Sequence, residues 1–240
     1  MEKQRLLTFI SKYHLGGSVE SVKIEVEDNT LQTRFISDDK SLLGIVRMKN
    51  FEFDDADLPI FDTSKLIKML GVLDEEITFD TKGDQKRLSS MIFTDNKTKA
   101  NYMLADEAVI PKAPKLKTLP EWNIEINFDK PFMDRFIRSK KALPGVANFT
   151  LVSDGGKVQI VIGYKKINSN SLTIETDAEY EGHLDPISFS ADYLKDILNA
   201  NDGAAEATLR VSTEGLAYIS FDIDDYLSDY YLVEQQDNGN

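Results

Sequence analysis

Hydrophobic positions along this chain change period several times, and the changes come in the same order twice. In residues 3–15 the apolar Leu6, Leu7, Phe9, Ile10 and Tyr13 recur at helical spacing, and in residues 130–143 Phe132, Met133, Phe136 and Ile137 do the same. A shift of 127 positions carries Lys3 to Lys130, Leu6 to Met133, Phe9 to Phe136 and Ile10 to Ile137. Two shorter helical segments also match. Phe61, Leu66 and Leu70 reappear as Phe189, Leu194 and Leu198 at a shift of 128. Oxygen-bearing side chains at 62–64, and Ser190 and Asp192 in the second half, stand where an N-cap belongs.

The segments between the helices alternate with period two. In the first half, residues 22–26 and 31–35 flank a polar turn at 27–29; in the second, 149–152 and 158–162 flank a turn containing Gly155 and Gly156. Strand-like runs at 77–79, 91–93 and 101–104 have counterparts at 209–211, 217–221 and 230–233, and Ile77 and Gly83 map onto Leu209 and Gly215 at a shift of 132. Each half therefore predicts helix, strands, helix, strands: an α+β domain of common size, used twice.

The halves meet at residues 109–120, where Pro111, Pro114 and Pro120 alternate with Lys112, Lys115 and Lys117 and no periodicity survives. Proline removes a backbone donor and pushes its predecessor toward extended conformations, so this stretch predicts an extended linker. The expected domains are 1–108 and 121–240. The polar residues 235–240 are expected to be a disordered tail with no role.

Composition narrows the function. With 41% hydrophobic residues and 13 Phe the chain can build real cores. No run approaches the length of a membrane span, and the N-terminus has no secretory pattern. The absence of cysteine excludes disulfides and thiolate metal sites. A net charge of -13 argues against an ordinary nucleic-acid binder unless the positive charge is gathered on one surface.

It is gathered on helices. Lys3, Arg5 and Lys12 outnumber Glu2 in the first, Lys65 and Lys68 outnumber Asp62 in the second, and Lys130, Arg135, Arg138, Lys140 and Lys141 outnumber Asp129 and Asp134 in the third. The fourth departs, with Lys195 against Asp192 and Asp196. Helical projection places Arg5, Thr8 and Lys12 on one side, away from Leu6, Ile10 and Tyr13; Arg135, Arg138 and Lys141 lie off the apolar side of the third helix. Such a layout suits contacts to phosphates, which carry no sequence information and weaken with salt.

Catalytic patterns are lacking. His14 and His183 stand in unrelated contexts, and His14 closes a helix, where the dipole favours a cation. The acidic stretches 54–57 and 222–229 lack the glycine and distal glutamate of a calcium loop. No phosphate-binding glycine loop or nucleophile motif is present.

The duplicated order, the paired Phe-x4-Leu-x3-Leu segments at Phe61 and Phe189, the proline-rich linker and the endings at 215–221 and 229–233 resemble the DNA sliding clamps of T-even-type bacteriophages. The broader pattern is shared with the eukaryotic proliferating-cell clamp. The resemblance implies the α+β DNA-clamp fold, no cofactor or metal, and no catalysis. It implies a homotrimer closing around double-stranded DNA, edge strands pairing between subunits, an ATP-driven clamp loader and a tethered DNA polymerase. It further implies a role in phage late transcription, in the cytoplasm of an infected bacterium. Carried onto this chain, the channel-facing residues would be Lys3, Arg5, Lys12, Lys65, Lys68, Lys130, Arg135, Arg138, Lys141 and Lys195. A partner peptide would dock near Val109, Ile110, Leu116 and Leu119, which serve equally well as anchors holding the linker. Two other readings stay open: a monomeric clamp-like processivity factor, and a non-enzymatic scaffold of tandem α+β domains.

Overall fold

A computed structural model describes residues 1–84, 87–165 and 170–235, the Arg87 side chain excepted. The tail expected at 235–240 lies, beyond Gln235, outside the described residues. The chain forms two compact units. One comprises Met1–Ser37, Gly44–Pro114 and Asp224–Ser228; the other comprises Asp38–Leu43, Lys115–Ile223 and the chain from Asp229 onward.

The first unit opens with helix α1 (Lys3–His14), which buries Leu6, Phe9, Ile10 and Tyr13 as its periodicity requires. Leu15 at φ 48° and Gly16 at φ 67° end it in left-handed conformations. Strands β1 (Val22–Glu27) and β2 (Thr30–Ile36) form a hairpin whose two turn residues, Asp28 and Asn29, both have positive φ, the geometry that Asp and Asn tolerate best among non-glycine residues. Then come β3 (Leu42–Met48) and β4 (Ala56–Ile60), giving the order β4-β1-β2-β3. The ring of Phe35 on β2 covers Gly44 on β3, where a Cβ would lie 2.1 Å from a ring carbon. Helix α2 (Thr63–Leu70) is capped by Asp62, whose carboxylate accepts from the Lys65 N–H at 2.7 Å. Strands β5 (Thr78–Asp84), β6 (Arg87–Thr94) and β7 (Lys99–Met103) follow in a sheet of that order, and a 3-10 turn spans Glu107–Val109.

The second unit repeats the plan. Strand β8 (Ile124–Asp129) leads into α3 (Lys130–Ala142), capped by Asp129, which accepts from the Phe132 N–H at 2.8 Å. Strands β9 (Asn148–Asp154), β10 (Lys157–Ile162), β11 (Leu172–Glu179) and β12 (Ile187–Ser190) make a sheet ordered β11-β10-β9-β12. Helix α4 (Ala191–Ala200) is capped by the Ser190 hydroxyl. Strands β13 (Glu206–Ser212), β14 (Leu216–Ile223) and β15 (Tyr226–Val233) then extend from β8 in the order β8-β13-β14-β15. Phe136 meets Phe149 edge to face at a centroid distance of 5.4 Å, and Phe149 lies tilted against Phe189 at 5.7 Å, filling the core. Burying each such ring contributes about 2–3 kcal/mol.

The match is strand for strand: β4-β1-β2-β3 corresponds to β12-β9-β10-β11, and β5-β6-β7 to β13-β14-β15. Even β8 has a counterpart. Residues 1–3 run beside 75–77, with the Ile77 N–H donating to the Met1 carbonyl at 3.0 Å and the Lys3 N–H to that of Glu75 at 2.7 Å. The edges differ. In the first unit the Lys49 N–H, just past β3, donates to the Asp225 carbonyl at 2.9 Å; in the second, the Val233 N–H on β15 donates to the Ser41 carbonyl at 2.9 Å. Their counterparts β11 and β7 each end a sheet among the described residues.

Candidate nucleic-acid interface

The cations of α1 are committed to the fold. Lys3 donates to the Leu73 carbonyl. Arg5 pairs with Asp225 at 2.9 Å and also donates to the carbonyls of Lys49 and Asn50. Lys12 is only 2% exposed, with its ammonium 5.4 Å from the centroid of the Tyr226 ring. Burial lowers its pKa to about 8, against the upward pull of Asp224. The exposed Arg5/Thr8/Lys12 face expected from helical projection is therefore not what forms. Segment Asp224–Ser228 supplies acceptors and an aromatic ring on that side of the helix, and both cations turn to it. What α1 exposes is uncharged or acidic: Glu2 ahead of it, then Gln4 and Ser11.

Helix α2 keeps Lys65 and Lys68 exposed and, among the described residues, outside any ion pair. Its first turn is held from below. Glu20 accepts from the Ser64 N–H at 2.8 Å and from the Ser64 hydroxyl at 2.5 Å, and lies 3.1 Å from His14 Nε2. Desolvation would raise the Glu20 pKa, but the bonds from Ser64 and His14 outweigh it and leave the carboxyl below its usual range. The grouping of His14, Glu20 and Ser64 is not a nucleophile relay, because both partners approach the same imidazole nitrogen. It is a cap that fixes α2 to the end of α1.

Helix α3 carries the most open positive charge. Arg135, Arg138 and Lys141 are exposed and, among the described residues, have no ion-pair partner. Lys130 is instead tied to Asp202 and, at 3.4 Å, to Asp134; the Asp202 bond is the main reason its pKa is raised. Lys140, 3% exposed, reaches Asp192 on α4 at 3.0 Å and the Pro144 carbonyl at 3.0 Å. Lys195 lies between Asp192 at 3.3 Å and Asp196 at 3.2 Å; partial burial would lower its pKa, but the two carboxylates raise it on balance. Of the ten residues expected to face phosphates, Lys65, Lys68, Arg135, Arg138 and Lys141 stand free among the described residues, and Lys3, Arg5, Lys12, Lys130 and Lys195 serve the fold.

The linker divides as well. Ile110 is buried and anchors it, whereas Val109 (55%), Leu116 (43%) and Leu119 (46%) are exposed. Periodicity overlooked a neighbouring feature. On β14 and β15 the residues alternate between a buried side and a half-exposed side. Tyr218 and Tyr231 project on the half-exposed side with ring centroids 4.8 Å apart, and Trp122 stacks on Tyr218 at 5.9 Å and 24°. The Tyr218 hydroxyl donates to Asp229 at 2.8 Å, and burial together with that carboxylate raises its pKa to about 12. Two aromatics at odd spacing on adjacent outer strand positions were the available signal. Among the described residues, no group of three or more His, Asp or Glu is placed to hold a metal ion.

No family model matches the chain, and no curated protein matches it. Solved structures do. The proliferating cellular nuclear antigen of Entamoeba histolytica matches with a TM-score of 0.70 at 15% identity, over 98% of this chain and 96% of that one. The PCNA of A. fulgidus, solved with the C-terminal region of FEN-1 bound, matches with a TM-score of 0.71 at 17% identity, over 100% of this chain and 98% of that one. At such identities the likeness concerns the fold, which is that of the DNA sliding clamps, α+β with two similar halves.

Proposed function

We propose that the chain is one subunit of a DNA sliding clamp, a ring that encircles duplex DNA and tethers a polymerase, with no chemistry of its own. The observation that carries this reading is the mismatch between equivalent edges. Strands β3 and β15 have companions along their edges, while the equivalent β11 and β7 end their sheets. A second copy that brings its β7 to β11 would satisfy both, and it would repeat head to tail until the ring closes. Three copies give six similar halves, the number implied by the resemblance. The domains proposed are 1–108 and 121–240 joined by 109–120, with segments 38–43 and 224–228 exchanged between them.

In this reading Arg135, Arg138 and Lys141, with Lys65 and Lys68, face the channel and meet phosphates loosely enough to slide. Retention is topological: once the ring is closed, weak contacts suffice, and a tethered polymerase sits at high effective concentration beside the primer end. The partner peptide docks on Leu116, Leu119, Trp122, Tyr218 and Tyr231. The solved A. fulgidus clamp, which holds a partner's C-terminal region, supports docking of that kind. An ATP-driven loader, kinship with T-even-type phages, action in an infected cell's cytoplasm and a part in late transcription belong to the same proposal.

The test is light scattering at high concentration, followed by polymerase extension on primed circular DNA. A mass three times that of the subunit, with salt-sensitive gain in extension length, is expected. A concentration-independent monomer that still extends synthesis would replace the ring by a monomeric processivity factor. An open polymer without effect on synthesis would replace it by a scaffold.

A further inference from the structure

The free cations are unevenly shared among the helices. Lys65 and Lys68 lie on α2, and Arg135, Arg138 and Lys141 on α3, all exposed. Those of α1 and α4, namely Lys3, Arg5, Lys12 and Lys195, are taken up by carbonyls, carboxylates or an aromatic ring. The two cationic helices are also the ones that border the open edges. Helix α2 packs against β7, which ends its sheet. Helix α3 grows directly out of β8 and packs on it, and β8 runs beside β11, with the Asn127 N–H donating to Asp177 at 3.2 Å.

A joint made by β7 of one copy and β11 of the next therefore brings α2 beside α3, at about the 8–10 Å spacing of packed helices. The strand edges attract across it: Lys97 and Lys99 are exposed at β7, and Glu175, Asp177 and Glu179 are exposed on β11. The helices repel. Their own acids are engaged, since Asp62 and Asp129 cap α2 and α3 and Asp134 pairs with Lys130. The exposed Asp74, Glu75 and Glu76 offset part of the repulsion from beyond the end of α2.

We infer that a duplex in the channel tightens the joints themselves, because its phosphates stand between the cations of α2 and those of α3 on the neighbouring copy. The inference rests on the ring reading above and adds a coupling between DNA and assembly. By linkage, the factor by which DNA tightens a joint is the factor by which closure tightens DNA. The same side chains that strain the empty ring hold the occupied one together.

The test is analytical ultracentrifugation of the full chain in a dilution series at about 0.05 M salt, with and without a blunt duplex of roughly 30 base pairs. The variants are K65Q/K68Q, R135Q/R138Q/K141Q and the two combined, all expected to melt as the wild type does. Either set alone removes every cation pair across the joint. Without DNA, each joint of the combined variant should therefore be about threefold weaker than the product of the two separate effects, for pairs roughly 15 Å apart. A control, K112Q/K115Q/K117Q, removes as much charge from the linker and should combine with K65Q/K68Q by simple multiplication. The duplex should tighten wild-type joints about tenfold by mass action and bring the threefold coupling close to one. Tightening alone would follow from any binding to the ring; loss of the coupling would not. Separate effects that simply multiply, a coupling that the duplex leaves unchanged, or joints that the duplex does not tighten overturn the inference and leave the ring in place. A monomer at every concentration removes the ring, and the inference with it.

Discussion

Helices α1 and α3 occupy the same place in the two repeats, yet they use their cations differently. Aligned at the shift that relates Lys3 to Lys130, Thr8 and Ser11 of α1 fall on Arg135 and Arg138 of α3, while Arg5 and Lys12 fall on Phe132 and Ser139. The first-turn lysines behave alike: Lys3 bonds to the carbonyl of Leu73 and Lys130 to that of Asp202, each fastening the loop after the second helix. The rest is opposite. The face that α3 arms with arginine is neutral in α1, and the side that α1 arms with Arg5 and Lys12 is turned to Asp225 and Tyr226. Net charge on a helix is therefore a poor guide to a charged face. Partners on the buried side decide what the count means.

The contrast can be broken most forcefully from the α3 side. Reversing Arg135, Arg138 and Lys141 to Glu together should lower clamp-dependent processivity on DNA at moderate salt by more than tenfold, since each lost phosphate contact also reduces counterion release. Light scattering and thermal melting should stay unchanged; normal processivity with intact assembly would remove these residues from the interface. On the α1 side, Arg5→Ala should leave processivity near normal in folded protein and cost about 1–3 kcal/mol in urea unfolding, because Asp225 and two carbonyls lose a shared donor.

Lys12 gives a subtler test through pH. Its folded pKa, about 8, lies below the ordinary 10.5, so between those values the unfolded chain holds the proton more firmly. Stability should accordingly rise with pH across that window, by up to about 1.4 kcal/mol per unit for one proton. The difference between wild type and Lys12→Met should carry that slope; a flat difference from pH 7.5 to 10 means Lys12 is not depressed. The smallest effect compares the second helices. Asp62→Ala and Ser190→Ala should each cost about 1 kcal/mol, and similar losses would show that the two caps are equivalent.

Much of this architecture could be read from the chain. All four helices fall where the period-3.6 segments predict them, and the turns at Asp28 and Gly155 stand between the expected strands. Five strands went unrecognised for identifiable reasons. β12 is only four residues long and runs straight into the Ser190 cap of α4, so it reads as part of the helix entry. β4 contains Pro59, which reads as a break although an edge strand accommodates it. β11 buries chiefly Ile174 and Ala178, too little apolar signal to mark a strand. β8 alternates cleanly, but directly after a proline-rich stretch. β3 is buried at Leu42, Leu43 and Gly44 in succession, which blurs its alternation. The site was half legible. Helical projection located Arg135, Arg138 and Lys141 on exposed positions, because only local geometry was needed. It misjudged Arg5 and Lys12, because their partners lie more than two hundred residues away, at a distance no period reports.

The exchange of segments also bears on how the protein is made. The first unit is not complete at Pro114, because it includes Asp224–Ser228, whose Asp225 and Tyr226 engage α1. At typical translation speeds of about 5–20 residues per second, the ribosome needs roughly ten seconds to reach that segment after Pro114. For that interval the nascent N-terminal half must wait with the Arg5 guanidinium and Lys12 ammonium lacking their final partners. Nearly the whole chain has to emerge before either half can finish folding, so synthesis favours their maturing together rather than one after the other.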